Sequence, residues 1–228
     1  MSNNQGWRWS IAEMFFSING EGRKAGELAA FVRFEGCNLK CDWCDTRWAQ
    51  GGQSVGMVMS AEDILDVMEP WNVRNVTLTG GEPLQAEHVD DLIIALTDAG
   101  YAVEIETNGS INLTPFLRTA KDRDVTFTMD YKLPGSGMEQ AMHPVNLSLL
   151  RLCDTLKFVC GSRSDLERAY EVCSQYHLGG RVHIDLSPVF GSIEPAEIVD
   201  FMKEKAWTDA RIQIQLHKVI WDPETRGV

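Results

Sequence analysis

The strongest constraint on the fold is a repeated alternation of short apolar runs with stretches of helical periodicity. Each run is halted by a glycine, an Asn-Gly pair or a cysteine-rich loop. Runs at 28–34, 75–79, 102–106, 125–130, 155–159 and 181–186 have strand length and strand-forming composition. Val89, Leu92, Ile93 and Leu96 recur at helical spacing, and Gly100 suits the cap that ends such a helix. Ser60 with Asp63 resembles a capping box opening a helix to about Met68, and Ser164 with Glu167 opens another to about Ser174. Residues 113–119 read as helical, and a helix over 196–203 starts behind Pro195. Residues 211–217 alternate strictly, with Ile212, Ile214 and Leu216 on one face, so a last strand is expected there. Six or seven strands with intervening helices fit a partial or distorted (βα)6-type barrel, and a doubly wound open sheet shares the same local pattern. Both architectures place chemistry at the C-terminal ends of the strands. The 228 residues are expected to form a single domain over 1–228, long enough to bury a full core.

The first such strand end carries Cys37-Asn-Leu-Lys-Cys41-Asp-Trp-Cys44, three thiols spaced CX3CX2C. A short loop wraps an iron–sulfur cube only if its thiolates lie this close together. Three ligands for four irons leave one iron open, which a cluster needs if it is to bind a substrate or cofactor. A structural zinc site would want a fourth ligand nearby, and no His occurs before residue 85. A zinc knuckle completed by the distant His88 or Cys153, or three simple thiols, are the blander alternatives. Cys153, Cys160 and Cys173 are scattered and read as small buried hydrophobes.

Other strand ends add polar groups. Thr79-Gly80-Gly81-Glu82-Pro83 follows a strand directly, and two glycines let backbone approach a ligand closely. Taken alone, such a segment is an ordinary βα turn. Glu104 and Glu106 share one face of their strand, which ends in Glu106-Thr107-Asn108-Gly109. Asp130-Tyr131-Lys132 and Ser187-Pro188-Val189 end later strands.

The CX3CX2C loop, with Trp43 before its last cysteine, resembles the signature of the radical S-adenosylmethionine (SAM) superfamily, and the Gly-Gly-Glu-Pro segment is similar to its SAM-contacting motif. Phe16-Ser17-Ile18-Asn19-Gly20-Glu21-Gly22, the run 31–37, Cys44-Asp45-Thr46 and the tail from Gln215-Leu216-His217-Lys218 to Arg226-Gly227-Val228 together resemble the 7-carboxy-7-deazaguanine synthase family, almost from end to end. The resemblance implies a lyase that converts 6-carboxy-5,6,7,8-tetrahydropterin to 7-carboxy-7-deazaguanine with release of ammonia, on the route to queuosine. It implies a [4Fe–4S] cluster on Cys37, Cys41 and Cys44, SAM, Mg²⁺ on Thr46, and an external flavodoxin-like one-electron donor. It also implies a homodimer. SAM contacts are expected from Gly81, Glu82, Glu106, Asn108, Asp130, Lys132 and Ser187. Substrate contacts are expected from Ile18, Asn19, Gly20, Glu21, Arg33, Thr79, His217 and the terminal carboxylate of Val228. No side chain is expected to act as a catalytic acid or base. Arg33 can pair with a carboxylate through two parallel N–H groups, and Glu21 can face a guanidine-like edge. Asn19 stands where the family commonly has Gln, and Asp130-Tyr131 where it has Ser-Pro. Gln213, Gln215 and His217 share a face of the expected last strand and could point into the site.

The net charge of −12 argues against direct binding to nucleic acid, which needs Lys and Arg to displace counterions. No apolar run has membrane-spanning length, and residues 1–14 do not read as a secretory signal, so a cytoplasmic enzyme is expected. The rival readings are a radical SAM activase acting on a protein to install a glycyl radical, an iron–sulfur electron carrier, and a zinc-binding module.

Overall fold

The computed structural model describes residues 6–51 and 56–228. Nine strands form one sheet: β1 (Trp9–Ile18), β2 (Leu28–Phe34), β3 (Met57–Met59), β4 (Asn75–Gly80), β5 (Ala102–Thr107), β6 (Val125–Tyr131), β7 (Thr155–Cys160), β8 (His183–Pro188) and β9 (Ala210–Ile212). Their spatial order is β3-β1-β2-β4-β5-β6-β7-β8-β9. From β2 through β4 to β9 every neighbouring pair is parallel, whereas β1 runs antiparallel to β2 and β3. The sheet does not close, so the fold is a partial barrel, as expected. The helices are α1 (Ala61–Met68), α2 (Val89–Asp98), α3 (Thr114–Thr119), α4 (Val145–Leu149), α5 (Arg163–Gln175), α6 (Pro195–Glu204) and α7 (Leu216–Ile220).

Strand periodicity divides the sheet into two unlike faces. Val76, Leu78, Val103, Ile105, Phe127, Met129, Leu156, Phe158, Ile184 and Leu186 are at most 1% exposed. They belong to one apolar core with Leu92, Ile93 and Leu96 of α2, Leu166, Ala169 and Val172 of α5, and Ile198 and Phe201 of α6. Burying each such side chain contributes about 1.5–3 kcal/mol, and this term fixes the helices to the sheet. The intervening residues on the other face are Thr77, Thr79, Glu104, Glu106, Thr128, Asp130, Lys157, Asp185 and Ser187.

Local signals work as the chemistry requires. Ser60 caps α1 in a reciprocal box with Asp63. The cap of α5 is Ser162, whose hydroxyl accepts from the Asp165 amide, so the helix starts two residues before the expected Ser164–Glu167 pair. Ser164 instead bonds Ser162 through its own hydroxyl.

Three strand assignments need correction. β1 and β3 were not expected. The pattern of β1 is broken by a register shift between Ile11 and Glu13, which hides its alternation. The expected strand over 211–217 stops at Ile212. The Gln213 amide makes one more bond to Leu186 O, Ile214 is 43% exposed, and the Leu216 amide turns away to Gly20 O. β8 itself ends at Pro188, level with Ile214, so no strand holds the alternation beyond that point, and α7 follows instead. Cys160 and Cys173 are buried as expected, Cys153 is half-buried, and all six cysteines are free thiols. No helix among the described residues is long and apolar enough to cross a membrane.

Candidate active site

The polar face of the sheet opens at its C-terminal edge into a cavity of about 620 Å³. That volume lies within the range of sites for small molecules and cofactors. Cys37, Cys41 and Cys44 all line it. Burial raises the thiol pKa of Cys37 and of Cys41, so both sulfurs would be poor thiolates without a cation to hold them. Donors nevertheless surround them. Leu39 N and Asn108 Nδ2 reach Cys37 Sγ at 3.4 and 3.7 Å, and Gln50 Nε2 reaches Cys44 Sγ at 3.3 Å. N–H groups aimed at sulfur are the usual surroundings of cluster thiolates.

The spread of the sulfurs separates a cluster from a single zinc ion. Ligands about 2.3 Å from one tetrahedral ion lie about 3.8 Å from each other. Among the described residues, the one set of three His, Cys, Asp or Glu donors within 4.8 Å of one another is His88, Asp90 and Asp91 on the surface. The three cysteine sulfurs are therefore not gathered about one point as a single tetrahedral ion would hold them, and the CX3CX2C spacing is that of cluster ligands.

Two loops hold this arrangement. Gly81 N donates to Phe34 O at 3.1 Å, and Glu82 N donates to Gly36 O at 2.8 Å. A Cβ on Gly81 would sit 1.7 Å from Gly36 O, and one on Gly80, at φ 133°, would sit 2.4 Å from Phe34 O. The glycines are thus required by the approach of the cysteine loop itself, in addition to the access they give a ligand. Glu82 is 2% exposed and does not reach the cavity. Its carboxylate accepts from Leu84 N, Thr107 Oγ1 and Asn108 N, which ties this loop to the end of β5. Burial pushes its pKa up to about 7 against those three donors. Glu82, expected to contact SAM, is thus placed as a buried anchor behind the cavity wall.

Around the cavity the expected residues fall into two groups. Ile18, Gly20, Glu21, Arg33, Thr46, Thr79, Gly81, Glu106, Asn108, Asp130, Lys132, His217 and Val228 all line it. Asn19, Glu82 and Ser187 do not. Asn19 is 3% exposed, its Oδ1 accepts from Thr77 Oγ1 at 2.8 Å, and its backbone pairs with Glu27 and Gly26. The amide is drawn down among the sheet side chains, and its buried Nδ2 has no partner among the described residues. Ser187 is buried and spends its hydroxyl on Glu21 Oε1 at 3.2 Å. Gln213 also lies off the cavity and bonds the carbonyl of Ile214, whereas Gln215 lines it.

The lining residues form paired charges. Arg33 Nε donates to Glu13 Oε1 at 2.7 Å, and its guanidinium lies over the rings of Phe15 and Trp48. Its two terminal nitrogens take no hydrogen bond among the described residues, which leaves a two-donor edge for a carboxylate. Lys132 Nζ pairs with Asp130 Oδ2 at 2.8 Å, while the buried Asp130 Oδ1 has no partner among the described residues. Thr79 Oγ1 donates to Glu106 Oε2 at 2.5 Å. Burial lowers the pKa of His217, whose ring lies against Gly20: a Cβ there would meet Nδ1 at 2.0 Å.

Several cavity residues escaped the sequence reading. Lys157 donates to Glu21 Oε2 at 2.6 Å from the middle of β7. It belongs to no motif, and its one signal is a lone charge inside an apolar run. Trp48 and Gln50, just past the last cysteine, and Glu224 and Thr225 in the tail also line the cavity. Arg226 stacks over Trp48 at 4.5 Å and Lys218 pairs with Asp45 at 3.4 Å, which draws the C-terminal segment across the mouth.

The profile of the Radical SAM superfamily matches residues 31–130. A 7-carboxy-7-deazaguanine synthase of Clostridium acetobutylicum is 46% identical over 96% of this chain and 99% of its own length. One from Leptospira interrogans is 33% identical over 96% of this chain and 98% of its own. In fold, the chain is similar to the crystal structure of QueE from Escherichia coli, with a TM-score of 0.72, 24% identity and coverage of 91% and 94% of the two chains. With identity of this level along nearly the full length of both relatives, and with three open thiols at the mouth of a partial barrel, the chain belongs to the 7-carboxy-7-deazaguanine synthase family of radical SAM enzymes.

Proposed function

We propose that this enzyme converts 6-carboxy-5,6,7,8-tetrahydropterin to 7-carboxy-7-deazaguanine with release of ammonia, and that residues 1–228 act as one catalytic domain. The observation that carries this reading is the convergence on one cavity of the three cysteines, the open edge of Arg33 and the carboxylate of Glu21. Radical SAM membership implies a [4Fe–4S] cluster and SAM. When bound, they supply a 5′-deoxyadenosyl radical able to take hydrogen from carbon.

The chain's own residues position and exclude. Cys37, Cys41 and Cys44 would hold the cluster, and Gly81, Glu106, Asn108, Asp130 and Lys132, which line the same cavity, would bind SAM. The unpartnered Asp130 Oδ1 suits an ammonium group. Arg33 takes the pterin carboxylate through its terminal nitrogens, and Glu21 accepts from the 2-amino-4-oxopyrimidine edge. Ile18, Gly20, Thr79, His217 and Val228 line the substrate side. The stacks of Phe15 on Phe31, at 4.6 Å, and of Arg226 on Trp48 keep water from that side. Thr46 offers a hydroxyl oxygen to Mg²⁺, an ion that commonly keeps water and substrate oxygens as its other ligands. A flavodoxin-like reductant and a homodimer complete the proposal. With no long basic run and a net charge of −12, the partner is a small molecule and not the RNA itself.

Anaerobic reconstitution followed by product analysis with carboxypterin, SAM, Mg²⁺ and dithionite tests the reading. A deazapurine is expected, and formation of 5′-deoxyadenosine without one would favour the protein-activating alternative. Arg33→Lys keeps the charge and loses the two-donor edge. It is expected to weaken substrate binding about tenfold or more while leaving SAM binding unchanged. Equal losses in both would reject this placement of Arg33.

A further inference from the structure

The Glu21 carboxylate is gripped at both oxygens by residues far away in the chain. Lys157 Nζ, on β7, donates to Oε2 at 2.6 Å, and Ser187 Oγ, on β8, donates to Oε1 at 3.2 Å. The Lys157 and Glu21 side chains are 13% and 11% exposed, and both line the cavity. A carboxylate offers about four lone-pair sites, two on each oxygen. The grip takes one site on each oxygen and leaves one on each, which makes a fixed two-acceptor edge.

Lys157 is well suited to this task. Burial works against its charge, but Glu21, Asp130 and Glu106 outweigh that and hold its pKa above the usual lysine range. It stays cationic and balances the carboxylates around it, in a site where an unpaired charge would be costly.

We propose that Lys157 and Ser187 are positioning residues that fix Glu21 to accept two parallel N–H donors. They thereby make the enzyme select 2-amino over 2-oxo pteridines. This rests on the pterin reading given above. A ring nitrogen and an exocyclic amine side by side match the two free acceptor sites. A 2-oxo analogue sets a carbonyl oxygen against the carboxylate, and both are acceptors.

Binding without turnover tests this. The wild-type protein, loaded with oxidised cluster and SAM, is titrated anaerobically with 6-carboxypterin and with 6-carboxylumazine, its 2-oxo counterpart. Fluorescence reports binding. Wild type is expected to prefer the pterin by about 100-fold or more, since a site built for hydrogen bonds rejects analogues that cannot make them. Glu21→Gln should abolish most of that preference. Lys157→Met should cut it about tenfold and Ser187→Ala about threefold, each removing one bond to a charged group. In the Glu21→Gln background both changes should cost less than about twofold, as expected of groups that act through Glu21. SAM affinity should be unchanged in all of them.

The clamp is overturned if Lys157→Met and Ser187→Ala keep the wild-type preference. It is equally overturned if they weaken both pteridines and SAM alike, or cost as much in the Glu21→Gln background as in the wild type. Should Lys157→Met not fold, Ser187→Ala and Lys157→Arg decide. The arginine variant is expected to retain most of the preference, and its complete loss together with an unaffected Ser187→Ala overturns the clamp. Wild-type protein that binds SAM but neither pteridine overturns the substrate reading and the specificity built on it. A pterin bound with selectivity indifferent to residues 157 and 187 overturns the clamp alone.

Discussion

The two faces of the sheet differ in chemistry although they share every strand. Against the helices stand Val, Leu, Ile, Phe and Met, almost completely buried. Toward the cavity, in the same strands and one residue away, stand Thr79, Glu106, Thr128, Asp130 and Lys157. The first face is held by area removed from water, which tolerates some change of shape but little loss of volume. The second is held by matched donors and acceptors: Thr79 with Glu106, Thr128 with Glu104, Lys157 with Glu21, Arg211 with Asp185. Stability resides on one face and specificity on the other, so the two should respond oppositely to conservative substitution.

The greatest effect is expected on the apolar side. Phe158 is fully buried and packs 5.6 Å from the Tyr131 ring, centroid to centroid. Phe158→Ala should cost about 3–5 kcal/mol in chemical denaturation, because the site cannot collapse around the void. A loss below about 1 kcal/mol would mean that this face is not the stabilising one.

The polar side should behave in reverse. Glu104 is buried, its hydrogen-bonding partner among the described residues is Thr128, and burial pushes its pKa up to about 7. Below about pH 4, folded and unfolded chains both carry the proton, and the residue is neutral to stability. Between the ordinary carboxylate range and pH 7 the unfolded chain ionises first, so the folded state loses stability as pH rises. Glu104→Gln should remove that loss and raise stability at pH 8 by on the order of 2 kcal/mol, with little gain at pH 4. A gain of equal size at both pH values would show that ionisation is not the cause.

A smaller effect sharpens the comparison at the cysteines, where polar and apolar surroundings meet. Gln50→Leu keeps the side-chain volume and removes the N–H donor to Cys44 Sγ. The reconstituted cluster should become harder to reduce, with a more negative midpoint in a redox titration and unchanged iron content. An unmoved midpoint would mean that this bond does not reach the metal.

The apolar face was the legible one. A strand buried against helices needs a run of large apolar residues, and β2, β4, β5, β6, β7 and β8 advertise themselves in that way. β1 did not, because antiparallel pairing and its register shift leave a mixed pattern. The alternation of Ile212, Ile214 and Leu216 advertised a strand that hydrogen bonding did not complete beyond Gln213. Within the site, motif residues on the cysteine loop were legible, since ligand spacing is local. Glu82 and Asn19 lie in motifs yet turn inward to brace the frame, a direction that spacing along the chain does not encode. Lys157 lies in no motif, and its importance comes from Glu21, 136 residues away.

One consequence concerns the backbone that carries the cysteines. The peptide after the first strand of the parallel set and the di-glycine peptide after the next are sewn together main chain to main chain, with no room for even a methyl group between them. Such a seam is made of protein atoms alone, so strand pairing itself sets the backbone on this side of the cysteine loop, and a side chain larger than hydrogen at either glycine would push the two loops apart.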